Sequence, residues 1–288
     1  MNELITKLNE LSDVWFHAMR TATLQSIVVL VVAWSFATMV RRFGPRVVFW
    51  VWTAAAAKLL VLVVFPLSIA IPVTTRIETK PDVQISRPAD LASFASEPLP
   101  AKEAPAASHA FRRHSTWKTH LCAAWCGLIA VQLTLIAKRK RKLMRLLDSC
   151  RPAKQSLQEM ADRLTQKVGV TRNVRVLCGN VAVPFVTGIR RPVVVLPESF
   201  DALQRSELSL VLTHELAHVA RNDLIWVWIP TFARMVFFFN PVMYVIQSEA
   251  ILCRESACDQ IVIKHGAVAG EYASVLLSMN ANVKPSFA

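Results

Sequence analysis

Charge is scarce in this chain. Only 18% of its 288 residues are Asp, Glu, Lys or Arg, while 53% are apolar, and the mean hydropathy is positive. That balance excludes an ordinary soluble domain and describes an integral membrane protein. Acidic residues are the scarcer half, 20 against 33 basic, for a net charge of +13. The polar stretch 74–116 holds none of the six cysteines, which are Cys122, Cys126, Cys150, Cys178, Cys253 and Cys258. No disulfide framework is therefore implied. Their spacing fits no standard cysteine zinc motif either, and buried packing is their default reading.

Two apolar stretches, residues 22–40 and 47–73, are each long enough to cross a hydrocarbon core as a helix. Arg41, Arg42 and Arg46 occupy the connection between them, which the positive-inside rule places in the cytoplasm, leaving the N-terminus outside. A cleaved signal peptide fits the first stretch poorly, because the basic cluster follows the apolar run and a second span comes straight after. Lys58, among alanines of the second span, is expected to pair within the bundle. Residues 74–116 mix Pro, Ala, Ser and both charges without periodicity and read as a flexible loop outside the membrane. A third span over 117–137 ends in Lys138-Arg139-Lys140-Arg141-Lys142 with Arg145, which gives the same orientation as the first basic cluster. Because this basic run abuts a span, its expected partners are anionic lipid headgroups of the plasma membrane, not nucleic acid.

Residues 138–288 then read as a cytoplasm-facing domain. Pro152 stands near the start of a helical pattern in which Leu157, Met160, Leu164 and Val168 share a face, ending near Gly169. Short strands are expected at 174–177, 183–186 and 192–196, with Gly188 in the turn between the last two. A free strand edge beside the next helix can hold an extended peptide by main-chain hydrogen bonds, or be a plain structural sheet.

The chemistry concentrates in His214-Glu215-Leu216-Ala217-His218. Its flanks are apolar at helical spacing and free of Gly and Pro, so it reads as the last turns of a helix. Positions i and i+4 lie one above the other on a helix, so both imidazoles can reach a single ion, for which zinc is the expected identity. Glu215 can stand beside the open position of that ion and act as general base toward water. A catalytic site needs a third protein ligand. Glu255 is the candidate, with Asp259 one turn later on the same face orienting a liganding histidine from behind, and Glu249 is the alternative ligand.

Residues 224–247 look at first like a fourth span. A single crossing would put His218 and Glu255 on opposite sides of the bilayer, where they cannot share an ion at about 2 Å. Pro230 and Asn240-Pro241 break the segment, so a hairpin that dips into the membrane and returns is expected, with Arg234 snorkelling or facing protein.

The ordered set His214-Glu215-Leu216-Ala217-His218, Arg221, Asp223, Phe239-Asn240-Pro241 and Arg254-Glu255-Ser256-Ala257-Cys258-Asp259 resembles the membrane metallopeptidases of the BlaR/MecR antirepressor type. The run from Val183 to Pro197 is similar to the segment upstream of that family's zinc helix, and the likeness extends from about residue 22 onward. The resemblance implies an α-helical integral membrane protein with a small α+β gluzincin-like zinc-metallopeptidase domain. It implies His214, His218 and Glu255 on zinc, Glu215 as base, and regulatory proteolysis of a transcriptional repressor or of the enzyme's own chain. Well-known members carry a penicillin-binding sensor domain after the protease, which is not visible before Ala288, so β-lactam sensing is not expected to carry over. Two other readings stand beside this one. In the first, a receptor or transducer uses zinc only to staple its fold; in the second, an HtpX-like protease clears damaged membrane proteins.

Overall fold

The computed structural model describes residues 2–64 and 115–281. The expected outer loop through residue 114 and the second span beyond residue 64 lie outside the described residues.

Among the described residues, three helices are long and apolar enough to cross a membrane. α1 (Asn2–Val40) is one helix of 39 residues, so the mixed residues before the apolar run are helical too. At 1.5 Å per residue it is about 58 Å long and outruns a hydrocarbon core of about 30 Å. α2 (Pro45–Val64) follows after a tight turn in which Gly44 takes a φ of 97°. α3 (Trp117–Ser149) runs unbroken through the basic cluster that was expected to follow its end.

Away from the basic turn, α1 and α3 are tied by polar contacts. Asn9 Oδ1 accepts from Thr116 N and Thr119 Oγ1, Lys118 pairs with Asp13 at 2.7 Å, and the Phe16 and Trp117 rings meet edge to face. Toward the middle, the small side chains Ala22, Ala33 and Ala37 belong to one buried cluster with Trp52, Ala56 and Leu59. Lys58 is exposed on α2 and has no polar partner among the described residues, unlike the pairing expected of it.

The remaining chain builds a four-stranded sheet of order β1-β2-β4-β3 with helices against it. β1 (Arg151–Pro152) is a correction to the sequence reading: Pro152 pairs with Leu177 of β2 (Arg175–Gly179), and α4 (Gln155–Val168) begins only after it. A proline at the sheet edge needs no ladder donor on its free side, which makes the position tolerable. The expected face of α4 packs on the core of the sheet, with Leu157 buried and Met160, Leu164 and Val168 partly so, Ala161 joins them fully buried, and Gly169 closes the helix in the left-handed conformation. β4 (Val193–Pro197) lies parallel to β2, and β3 (Phe185–Thr187) returns antiparallel on its outer side. Gly188 makes that return possible, since at its φ of 86° a Cβ would run into the Arg191 carbonyl oxygen. α5 (Arg205–Ala220) packs over the sheet, with Val211, Leu212, Leu216 and Val219 in a core shared with Val176, Val194 and Leu196. A capping box between Gln204 and Glu207 starts it.

After α5 come α6 (Asp223–Trp226), α7 (Trp228–Val236), a turn through Phe237–Asn240, and α8 (Pro241–Lys264) packed on α7. Pro230 sits inside α7, and the break falls at Val227, one turn earlier than expected. The proline ring crowds the carbonyl of residue i−4 and offers it no donor, and that residue, Trp226, is where α6 stops. Arg234 is exposed with its guanidinium over the Tyr244 ring. The last carbonyls of α7 receive donors from α3: Trp125 Nε1 reaches Val236 O at 2.9 Å, and Gln132 Nε2 reaches Met235 O at 3.4 Å.

α8 buries Met243, Ile246, Ala250 and Cys253, at spacings of three and four, in the cluster formed by α1 and α2. Asn240 fixes where it starts. Its Oδ1 accepts from Val242 N at 3.0 Å, and its Nδ2 donates to the buried Ser26 Oγ of α1 at 2.9 Å. α9 (Ala269–Ala281) then packs back on α5.

Replacing Asn240 by Ala removes both the cap and the tie to α1 and is expected to cost about 1–3 kcal/mol of stability. Ser26→Ala, which leaves the cap, is expected to cost less. Melting temperatures of both variants in detergent check this; equal losses would mean that the cap contributes nothing.

Candidate metal centre

His214 and His218 lie on the last two turns of α5, and their rings are 5.1 Å apart between centroids. Glu255 comes from the middle of α8, and its Oε2 stands 3.5 Å from Nε2 of each histidine. Two nitrogens and one oxygen bound to a tetrahedral zinc at about 2.1 Å lie roughly 3.4 Å apart. The two measured edges match that, so the donor set fits one ion. Glu249 is not part of the cluster. Arg254 holds the other oxygen of Glu255, with Nη2 at 2.6 Å and Nε at 3.0 Å from Oε1, which leaves Oε2 facing the imidazoles.

Each histidine meets a carboxylate through Nδ1. Asp259 Oδ1, one turn beyond Glu255, lies 3.1 Å from His214 Nδ1. On the other ring, Asp223 Oδ2 lies 2.9 Å from His218 Nδ1. Asp223 reaches back over only five residues because Asn222 takes the left-handed conformation (φ 58°) at the end of α5. Asn is one of the few non-glycine residues that adopts it readily. The Asp223 carboxylate is 2% exposed and is paired with Arg221 Nε at 3.1 Å. Cys258 Sγ, fully buried, lies 3.2 Å from His218 Nδ1 and 3.5 Å from Asp223 Oδ2. Asp223 and Cys258 belong to the resembling motif, but their place behind His218 is not visible from the sequence. Tyr272 of α9 carries no motif signal at all, yet its hydroxyl is 2.7 Å from both His214 Nδ1 and Asp259 Oδ1.

The site favours positive charge. Burial works against protonation of His214, but hydrogen bonds with Asp259 and Glu255 push its pKa up to about 9. His218 is likewise buried, and contacts with Asp223, Cys258 and Glu255 push it up to about 12. Burial raises the Glu255 carboxyl, yet the two imidazoles and Arg254 hold it well below the usual carboxylate range. Glu215 behaves differently. It is 7% exposed, and burial pushes its carboxyl above the ordinary value despite the histidines nearby.

These residues open on a cleft of about 550 Å³. His214, Glu215, His218 and Glu255 contribute to its polar part together with Asp223, Arg254 and Tyr272, while Phe185 and Val186 bring the outermost strand to its wall. Arg172 fixes that wall to the histidine helix, donating to Ile189 O at 2.7 Å, Val219 O at 2.6 Å and Asn222 Oδ1 at 2.8 Å.

A family model described as BlaR1 peptidase M56 matches residues 17–287. The Regulatory protein BlaR1 of Bacillus licheniformis is 32% identical over 81 residues, which is 28% of this chain and 14% of that protein. The methicillin resistance mecR1 proteins of Staphylococcus aureus and Staphylococcus epidermidis are each 31% identical over 86 residues, 30% of this chain and 15% of theirs. The matched stretch is thus a small part of each relative.

Asp223→Ala and Asp259→Ala are each expected to weaken zinc binding by about 10–100-fold. They separate in the metal-free protein. Loss of Asp223 strands a buried arginine and is expected to cost about 3–5 kcal/mol, whereas Asp259, 40% exposed, is expected to leave the melting temperature nearly unchanged. Chelator competition and thermal melting read the two effects, and equal melting losses would sink the distinction.

Proposed function

The chain belongs to the BlaR1 peptidase M56 family, and we propose that it is a zinc-dependent endopeptidase of the membrane that performs regulatory proteolysis. One observation carries this reading: Nε2 of His214 and His218 and Oε2 of Glu255 converge at the spacing of one ion, with Glu215 in the same cleft. Zinc held there supplies Lewis acidity, polarising a peptide carbonyl and lowering the pKa of water.

The chain's own residues do the rest. An extended substrate segment lies along the free edge of β3, held by main-chain hydrogen bonds. Glu215 takes a proton from the attacking water and delivers it to the amine nitrogen as the peptide C–N bond breaks. Its raised pKa brings it closer to the operating pH that such a proton carrier requires. Asp223 and Asp259 keep the two imidazoles oriented, and Arg254 holds Oε1 of Glu255 so that Oε2 faces the imidazoles.

The site faces the cytoplasm in this reading, and the N-terminus lies outside. Two features support it: the cation of Arg221 lies over Phe49 at the start of α2, and Gly44 of the arginine-rich turn lies against Gln260 of α8. The metal end of α8 therefore shares a level with Arg41, Arg42 and Arg46. The substrate proposed on that side is a transcriptional repressor, as the resemblance of the motifs implies, or the chain itself; the name of the Bacillus licheniformis relative supports a regulatory role and nothing finer.

Purified wild type and Glu215→Gln, compared in detergent for zinc content and for cleavage of themselves and of an unfolded protein, test the proposal. Both are expected to hold zinc, and only wild type to cut, with the variant slower by at least about 100-fold. Zinc retained by both with equal cutting would remove Glu215 as the base. Absence of zinc from both would remove the metal centre.

A further inference from the structure

α9 is fastened to the domain by very little. Tyr272 and Val275, each 4% exposed, are its buried side chains among the described residues. Val275 enters the core formed by α4, α5 and the sheet. Packing accounts for the tyrosine ring, but a phenylalanine would pack as well, and the hydroxyl is what distinguishes the residue. That hydroxyl is placed in the most consequential polar position available to it. It donates to Asp259 Oδ1 at 2.7 Å and lies 2.7 Å from His214 Nδ1, while Asp259 Oδ1 itself is 3.1 Å from the same nitrogen.

With Nε2 of His214 as a metal ligand, Nδ1 carries the ring proton and is a donor. Its acceptors are then the hydroxyl oxygen and the carboxylate together. Asp259 is 40% exposed, so water competes for it and by itself it orients the ring loosely. A buried hydroxyl that donates to this carboxylate removes that freedom.

We propose that Tyr272 is a positioning residue: its hydroxyl locks Asp259 and the His214 ring in the orientation that presents Nε2 to the metal, so that docking of α9 and metal affinity are coupled. This rests on the metal-centre reading above. Coupling is reciprocal, so whatever the docked helix adds to metal affinity, the metal adds to docking of the helix. Leu276, next after Val275, lines the cleft, so undocking α9 both loosens a ligand and opens the substrate wall.

The test uses the full chain in detergent, as wild type, Tyr272→Phe and Val275→Ala. Zinc affinity is measured by chelator competition, the site by the visible absorption of the cobalt(II)-loaded protein, and α9 by hydrogen exchange with and without zinc. For Tyr272→Phe the expected result is an unchanged melting temperature without metal, zinc affinity lower by roughly tenfold, an altered cobalt spectrum, and loss of the zinc-dependent protection of α9 that wild type shows. Val275→Ala, which leaves the hydroxyl in place, is expected to lower zinc affinity through weaker docking alone. If wild type binds metal and Tyr272→Phe matches it in affinity, spectrum and protection, the tyrosine only packs and the proposal is wrong. Unchanged affinity in Val275→Ala removes the coupling to docking. A wild type that takes neither zinc nor cobalt overturns the metal centre, and this role with it.

Discussion

The approach of Glu255 to two histidines on another helix fixes the path of everything between them. α5 ends at Ala220 and α8 starts at Pro241, and the intervening residues are apolar enough to invite a membrane crossing. A crossing would separate the donors by the thickness of a bilayer, so the chain has to leave and return on one side. Each device in the segment serves that return. The helix breaks at Val227, turns through Phe237–Asn240, and restarts on the Asn240 cap. In hydrocarbon the exposed carbonyls at such a turn are costly. Trp125 and Gln132 of α3 supply donors to two of them, which gives the polar residue in the third span a physical reason to be there.

α8 is the member that transmits position. Its first half lies in the bundle core through Met243, Ile246, Ala250 and Cys253, and its second half packs toward α5 through Ala257, Cys258 and Val262. Glu255, at the junction of the two, and Asp259, one turn later, face the histidines. From Pro241 to Glu255 is about 21 Å of uninterrupted helix. The distance of Glu255 from the hairpin turn is therefore set by helix length, and no loop intervenes to absorb a displacement. Movement of α8 against α1 or α2 reaches the donor atoms directly.

The sequence is readable wherever spacing alone decides geometry. The i, i+4 histidines, the i, i+4 carboxylates and the apolar face of α4 are of this kind, whereas α5 is buried nearly all round. Glu249 and Glu255, six residues apart, point to different sides of one helix, and only packing decides which side meets the histidines. What spacing does not contain is pairing across the chain. Pro152 becomes a strand because Leu177 is available to pair, and nothing near Pro152 signals it. Tyr272 is recruited by tertiary packing alone. Asp223 is an intermediate case. Its reach to His218 depends on one left-handed residue, and Asn222 is chemically suited to be that residue, so the signal is present but weak.

The two imidazoles are held in different ways, and the difference has a functional direction. His218 is fixed from within its own stretch of chain. Asp223 is five residues away, almost wholly buried, and neutralised by Arg221, with Cys258 closing the remaining side. Undoing that arrangement means exposing a buried ion pair, which global unfolding can do but a local motion cannot do cheaply. His214 is held from outside, by Asp259 of α8 and Tyr272 of α9, and that carboxylate is 40% exposed. The local free energy needed to loosen it is smaller, because water can replace what is lost. The pair is thus rigid at one imidazole and adjustable at the other, and if the proposed metal is bound between them, its hold is most easily altered at His214.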